Sequence, residues 1–265
     1  MLDTTLVIPA GLVLALGLAL PPPPTAPIPA SPRPLAAALV QTERSLNEAI
    51  DRWATSAAPP RDVTLLALYE QRIIRALAAN VRLAAAVVRL DPAAADDVAA
   101  RTDLAALASS SPSLRVPPRV GPAPRADRLL RWYREAQTRF GVRWQLLAAV
   151  NFVESGFGRI RNASTAGAQG PMQFEPATWR AYGLGGDVHD PHDAILGAAN
   201  YLAANHAASD ERAALFHYNH SPLYVDAVAR YTRRITHDRR GFLRYYSWQV
   251  YVRTRAGYRR VTGPR

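Results

Sequence analysis

Glu154 is the residue of this chain whose setting best suits proton transfer. It lies near the end of Trp144-Gln-Leu-Leu-Ala-Ala-Val-Asn-Phe-Val-Glu154-Ser155-Gly156. Leu147, Ala148 and Val150 mark the inward face of a helix there, and Gly156 terminates it. Phe152, Val153 and Phe157 flank the carboxyl group. Apolar surroundings disfavour the charged form and raise a carboxyl pKa, so a glutamate so placed can hold a proton near neutral pH and deliver it to a leaving oxygen. A solvated glutamate at a helix end has the same local sequence, and Glu154 alone does not separate the two readings.

Ten residues on, Ser164-Thr-Ala-Gly167-Ala-Gln-Gly170-Pro-Met172-Gln173-Phe174 sets two glycines three apart before a flexible apolar side chain and an amide. Glycines let a loop approach a ligand closely, and Gln173 offers the paired donor and acceptor that suit an acetamido group. A structural turn leading into a helix near Pro176 accounts for the glycines equally well.

The Glu154-Ser155 pair, the loop from Gly167 to Gln173, Ala199-Asn-Tyr201-Leu202 and Tyr218-Asn219 follow one another in a fixed order and spacing. In these motifs the chain resembles the lytic transglycosylases with a soluble-type, goose-lysozyme-like catalytic domain. Gly170-Pro-Met-Gln-Phe-Glu-Pro-Ala-Thr-Trp179 and Asp187-Val-His-Asp-Pro-His-Asp193-Ala-Ile are similar to the actinobacterial branch. The likeness runs roughly from Trp132 to Val228. It implies a mainly α, lysozyme-like catalytic domain that cuts peptidoglycan between N-acetylmuramic acid and N-acetylglucosamine, leaving 1,6-anhydro ends. It also implies Glu154 as acid and then base, Ser164 as a helper near that carboxylate, and Met172 and Gln173 as lining of the sugar subsites. Tyr201 counts with the substrate-binding residues, Tyr218 stands close to the catalytic carboxyl, and Asn219 is its partner. His220-Ser221 stand where the family usually has glycine or another small residue.

Hydrolysis of the same bond, as in a muramidase, normally needs a second carboxylate. Asp190 and Asp193 are explained as helix caps, which leaves Asp187 as the candidate. A non-catalytic glycan-binding protein is the third reading, and the intact Glu154 and loop motifs argue against it. His189, His192, His206, His217 and His220 crowd the same region, yet they supply no clear third metal ligand at usable spacing, so no metal is expected. No phosphate-cradling glycine loop is present and no cofactor is expected.

Composition narrows the setting. The 265 residues carry 32 basic against 21 acidic side chains, a net charge of +11, and every basic residue is arginine. Such a balance suits polyanions, including an acidic cell wall or anionic lipid headgroups. The central segment shows no basic stripe interleaved with stacking aromatics, which disfavours nucleic acid. There are no cysteines, excluding disulfides and thiolate catalysis.

The elements that must position these residues fall into five stretches. Residues 1–34 hold a charge-free apolar run of fifteen, Leu6 to Leu20, and then a proline-rich stretch. The run fits a signal-peptide core or an uncleaved membrane tether, and the prolines a stiff spacer; both imply an extracytoplasmic protein, secreted or anchored at the wall. Asp3 and the lack of a basic residue before the run depart from the usual signal pattern. Residues 35–110 are helical in pattern: Leu35, Leu39, Leu46, Ile50 and Trp53 form one stripe. After Ala58-Pro59-Pro60, Leu66, Tyr69, Ile73, Leu77, Val81, Ala84 and Val88 form a second running to Asp91-Pro92. Two antiparallel helices and a shorter third would bury them, as a spacer or docking module. Residues 111–124, with five prolines and a glycine, read as a linker. Residues 125–236 are the catalytic domain, with helices starting after Asp190-Pro191 and Ser221-Pro222. Residues 237–265 form a basic aromatic tail with eight arginines and one aspartate. Tyr246, Trp248, Val250 and Val252 alternate there with strand-like period, pointing to a packed β-hairpin with a solvated arginine face rather than a polymer- or lipid-binding patch.

Overall fold

The computed structural model describes residues 20–110 and 117–264. The apolar run from Leu6 falls, except for Leu20, outside the described residues. No helix among those described is long and apolar enough to cross a membrane. The chain is mainly helical and ends in a two-stranded sheet.

Its N-terminal helices are α1 (Pro32–Arg52), α2 (Arg61–Ala78), α3 (Val81–Leu90) and, after a short 3-10 turn, α4 (Ala95–Ser110). The stripe expected as one helix from Leu66 to Val88 is broken. Asn80 adopts extended backbone, and its side chain accepts from the Leu83 amide to start α3. The apolar period continues across the break, but an asparagine that caps a new helix redirects the backbone.

The helices α5 (Ala126–Phe140), α6 (Trp144–Ser155), α7 (Pro176–Tyr182), α8 (Pro191–Ala204), α9 (Glu211–Tyr218) and α10 (Pro222–His237) follow. Leu146 through Val150 of α6 have no exposed surface, so α6 is the central rod, packed on α5, α8 and α10. Asp190 caps α8 as its sequence implies, accepting from the His192 and Asp193 amides at 2.8 and 3.1 Å. Ser221 occupies the equivalent position before α10, but its hydroxyl makes no capping bond; Pro222 at the first turn already suits that start.

One face of α10 packs along α6 and another along α4. The N-terminal helices thereby share one hydrophobic core with the rest of the chain. Charged pairs reinforce the junction: Arg230 binds Asp103, and Arg233 binds Asp96. Residues 117–124 run beside the chain just after α6. There Val120 bridges Ile160, and the Arg119 amide donates to Asn162 Oδ1 at 2.6 Å.

The tail carries the expected short β-hairpin, but the alternation read from Tyr246 begins inside a helix. Residues Gly241–Ser247 form a helix, α11, and only Tyr251–Thr254 (β1) and Gly257–Arg260 (β2) form strands, antiparallel with Tyr251 opposite Arg260. Tyr245 and Tyr246 are neighbours and both buried, which a half-buried strand forbids and a helix wedged into a core allows. Gly241 permits the wedge, since a Cβ there would lie 3.0 Å from the Arg234 carbonyl oxygen.

Candidate active site

Glu154 sits in the last turn of α6, and the residues around it first fix that turn. Gly156 (φ 61°) ends the helix in the left-handed region. Ser155 Oγ accepts from the Gly158 amide at 2.7 Å and donates to the Pro171 carbonyl. One turn earlier, the Asn151 amide donates to the Pro171 carbonyl at 3.2 Å and to Met172 Sδ at 2.8 Å, while its Oδ1 accepts from Tyr133. The serine beside the glutamate is therefore a pin that locks the Gly170–Gln173 turn onto α6.

That turn is held from its other side as well. Gly170 has φ 74°, and a Cβ on it would lie 1.9 Å from the Val188 carbonyl oxygen. The close approach expected of this glycine is made to the protein itself, not to a ligand. Ser164 Oγ accepts from the Ala166 and Ala168 amides at 3.2 and 3.0 Å, shaping the preceding loop.

Glu154 keeps part of its surface open to two adjoining cavities of about 430 and 330 Å³ that form one groove. Ser164 and Gln173 line both cavities beside Glu154, and Tyr201, Tyr218, Asn219, His217 and His220 line the smaller one. Gln173 Nε2 donates to the Gly170 carbonyl at 2.9 Å. Tyr201 donates to the His217 carbonyl at 2.9 Å. Met172 is placed differently: its side chain has no exposed surface and packs on Asn151. Its carbonyl accepts from Tyr218 at 2.7 Å, so Met172 supports the groove from behind rather than lining it.

The residue bonded to the glutamate is one that sequence reasoning missed. Tyr224, at the start of α10, donates from its hydroxyl to Glu154 Oε1 at 2.6 Å and is 1% exposed. Tyr218, expected close to the carboxyl group, lines the groove beside Glu154 with its ring parallel to that of Tyr224. Nothing local marks Tyr224, which is a buried aromatic on an amphipathic helix 70 positions away from its partner. Phe152 stacks on Phe157 beneath the site, with ring centroids 5.6 Å apart.

These surroundings push the Glu154 pKa up to about 7. Desolvation is the dominant cause, and the Tyr224 hydrogen bond opposes it by favouring the carboxylate. Among the described residues no cation pairs with Glu154. The group is thus poised to exchange a proton near neutral pH with whatever fills the groove.

Asp187 is exposed, accepts from the His189 amide at 2.8 Å, and does not line the groove. Among the described residues, the carboxylate besides Glu154 that lines the groove is Glu175. The histidines are scattered. His192 stacks on Trp132 and meets Glu135 at 2.9 Å, while His206 occupies a turn with φ 63°. Among the described residues no group of three or more His, Cys, Asp or Glu is placed to hold a metal ion.

Two curated relatives are similar in sequence. A membrane-bound lytic murein transglycosylase F of Thiobacillus denitrificans is 38% identical over 71 residues, covering 27% of this chain and 15% of that relative. Another from Alkalilimnicola ehrlichii is 31% identical over 159 residues, covering 52% of this chain and 31% of that relative. The chain thus spans less than a third of the length of the curated relatives it matches. No solved structure matches. Residues 131–238, which hold Glu154, the pinned loop and Tyr224, match the model of the Transglycosylase SLT domain family.

Proposed function

We propose that this chain is a peptidoglycan lytic transglycosylase with Glu154 as its acid and then its base. The single observation that carries the reading is a groove-facing carboxyl group, held near pKa 7 and bonded to a neutral phenol, inside the segment that matches the SLT domain. Glu154 gives its proton to the oxygen joining N-acetylmuramic acid to N-acetylglucosamine, and the bond from muramic C1 to that oxygen breaks. The C6 hydroxyl of the same sugar then attacks C1, closing a 1,6-anhydro ring, and Glu154 takes back the hydroxyl proton. One carboxyl group serves both steps and no water is consumed.

Tyr224 steadies the carboxylate between the two transfers. Ser164, Gln173, Tyr201, Tyr218 and Asn219 bind sugar along the groove, with Met172 and Ser155 as its support. Residues 125–236 make up the catalytic unit, and residues 35–110 and 237–265 buttress it. The motif phrases at Gly170–Trp179 and Asp187–Ile195 favour the actinobacterial branch. The relatives' membrane-bound names and the apolar run at Leu6–Leu20 support an extracytoplasmic location, with that run as signal or tether.

Hydrolysis is the second reading, and Glu175 in the groove wall favours it over the Asp187 considered from sequence. Digestion of purified sacculi by the full chain, with products read by mass spectrometry, decides between them. The expected products end in 1,6-anhydro-muramic acid and vanish in Glu154→Gln. Reducing ends in their place make the protein a muramidase. Sacculi that bind the protein and stay intact remove the enzyme reading altogether.

A further inference from the structure

The larger cavity extends past the SLT-matched residues, where α2, α4 and the β1–β2 hairpin form its wall. Two half-buried arginines enter it there, Arg75 from α2 and Arg101 from α4. The Arg75 guanidinium lies 3.9 Å from the Tyr251 ring centre and 4.7 Å from that of Tyr258. Arg101 lies 5.1 Å from the same Tyr258 ring. A guanidinium stacked on a ring is held flat and keeps its in-plane N–H donors for a planar anion.

Among the described residues no carboxylate pairs with either cation. The acids carried by α4 are engaged elsewhere: Asp96 with Arg233, Asp97 with Arg234 and Tyr245, and Asp103 with Arg230. Burial, and then the repulsion of Arg101, bring the Arg75 pKa down to about 10. Two like charges held together without a counter-ion cost stability, and a bound anion relieves that cost. The same cavity is walled by Glu154, Ser164 and Gln173, so one molecule that fills it meets both the arginines and the carboxyl group.

We propose that Arg75 and Arg101 form a subsite for the carboxylate carried on the substituent of the muramic acid ring being cut. This rests on the glycan-cleaving reading above. Every muramic residue bears such an acid, either as the bare lactyl carboxylate or as the carboxylates of an attached peptide. Chitin-type glycan has neither. The helices before residue 110 and the C-terminal hairpin thereby choose the acid-bearing polymer, while the SLT-matched segment cuts it. Planar, two-pronged recognition of a carboxylate is what paired guanidinium groups do best.

Binding of soluble glycans to the full chain carrying Glu154→Gln tests this without turnover. Three ligands of equal length are compared by calorimetry at low salt: a neutral chito-oligosaccharide, glycan stripped to its lactyl acids, and peptide-bearing glycan. At least one acid-bearing ligand is expected to bind about tenfold tighter than the neutral one, and which one names the source of the carboxylate. That ratio should fall towards one when Arg75→Gln and Arg101→Gln are added. If Arg75→Gln unsettles the hairpin, Arg101→Gln alone and a rise in salt must each still shrink the ratio. Equal affinities for all three ligands, or a preference that survives loss of both arginines, overturn the proposal. Sacculi left uncut while the preference holds would sink the lytic reading and leave this subsite standing.

Discussion

Glu154 and Glu70 are the same side chain in the same physical predicament, and their surroundings make different use of it. Burial raises each to a pKa of about 7. Glu154 opens on a groove, and among the described residues its side chain is bonded to the neutral phenol of Tyr224 alone. Glu70 is 1% exposed in the centre of the molecule. There it accepts from Arg244 at 3.0 Å and from Trp248 Nε1 at 2.8 Å, and it shares Arg244 with Glu43. A raised pKa therefore marks a desolvated carboxyl group and no more; access and the charge of its partner decide whether it can do chemistry. Glu70 has a counter-ion and no opening, and we read it as a tie between α2 and α11.

The sharpest break in that comparison is substitution of the glutamates themselves. Glu154→Gln should lower the rate of sacculus digestion by about 10²–10⁴-fold, the usual worth of a general acid, while the protein stays folded. Glu70→Gln should leave digestion within about twofold, because Glu70 does not itself line the groove and reaches it only through Trp248 in the wall of the larger cavity, so a weakened hydrogen bond there acts chiefly through stability. Equal losses of activity from both would mean that burial, not position, governs the chemistry.

Next in size is the counter-ion. Arg244→Met should destabilise the fold by about 3–5 kcal/mol in urea unfolding, because it leaves Glu70 buried without a cation and Glu43 with only the looser contact to Arg234 at 3.7 Å. The Arg244 pKa is held above its ordinary range by those same acids, so the group stays charged at every pH that matters. A loss below about 1 kcal/mol would show that water reaches this network.

How much of this was legible follows the distance over which each feature acts. Glu154, Ser164 and Gln173 stand within twenty residues of one another, and the amphipathic stripes of α1 and α10 repeat locally. Tyr224 was not legible, because its contact with Glu154 depends on how α10 crosses α6. Met172 was misplaced for a related reason: a methionine beside a groove motif has the same sequence whether it faces the groove or the core. The end of the helix at Gly241–Ser247 was drawn into the strand-like alternation because Tyr246 and Trp248 fit both periods over so short a span. Arg244 carries no local mark of burial, and the two carboxylates it hydrogen-bonds, Glu43 and Glu70, lie more than 170 residues away, while nearby Asp238 is a looser contact at 3.8 Å.

Tyr224→Phe sharpens the comparison at the proton itself. It removes a hydrogen bond that favours the charged form, so the Glu154 pKa should rise above about 7, by roughly one unit for a bond to a charged acceptor. Digestion requires the protonated acid, so the alkaline limb of the rate profile should move to higher pH. At low pH the variant should be several-fold slower, because the carboxylate formed after proton transfer has lost its donor. A limb that stays in place would assign it to another group.

The smallest effect concerns stability and pH, and here the two glutamates should behave alike. For each, the folded pKa of about 7 lies above the ordinary glutamate value of 4.5. Between those values the folded state holds more protons than the unfolded one, so stability falls as pH rises through this window and is level above about 7. A glutamine at either position lacks the proton and escapes the loss. Melting temperatures of Glu70→Gln and Glu154→Gln, each taken relative to the unsubstituted protein, should both improve by a few degrees between pH 5 and pH 8. For Glu70 the contrary result is instructive. If Glu70→Gln is penalised more at pH 8 than at pH 5, the Arg244–Glu70 pair is ionised and stabilising throughout, and the resemblance between the two glutamates ends at their burial.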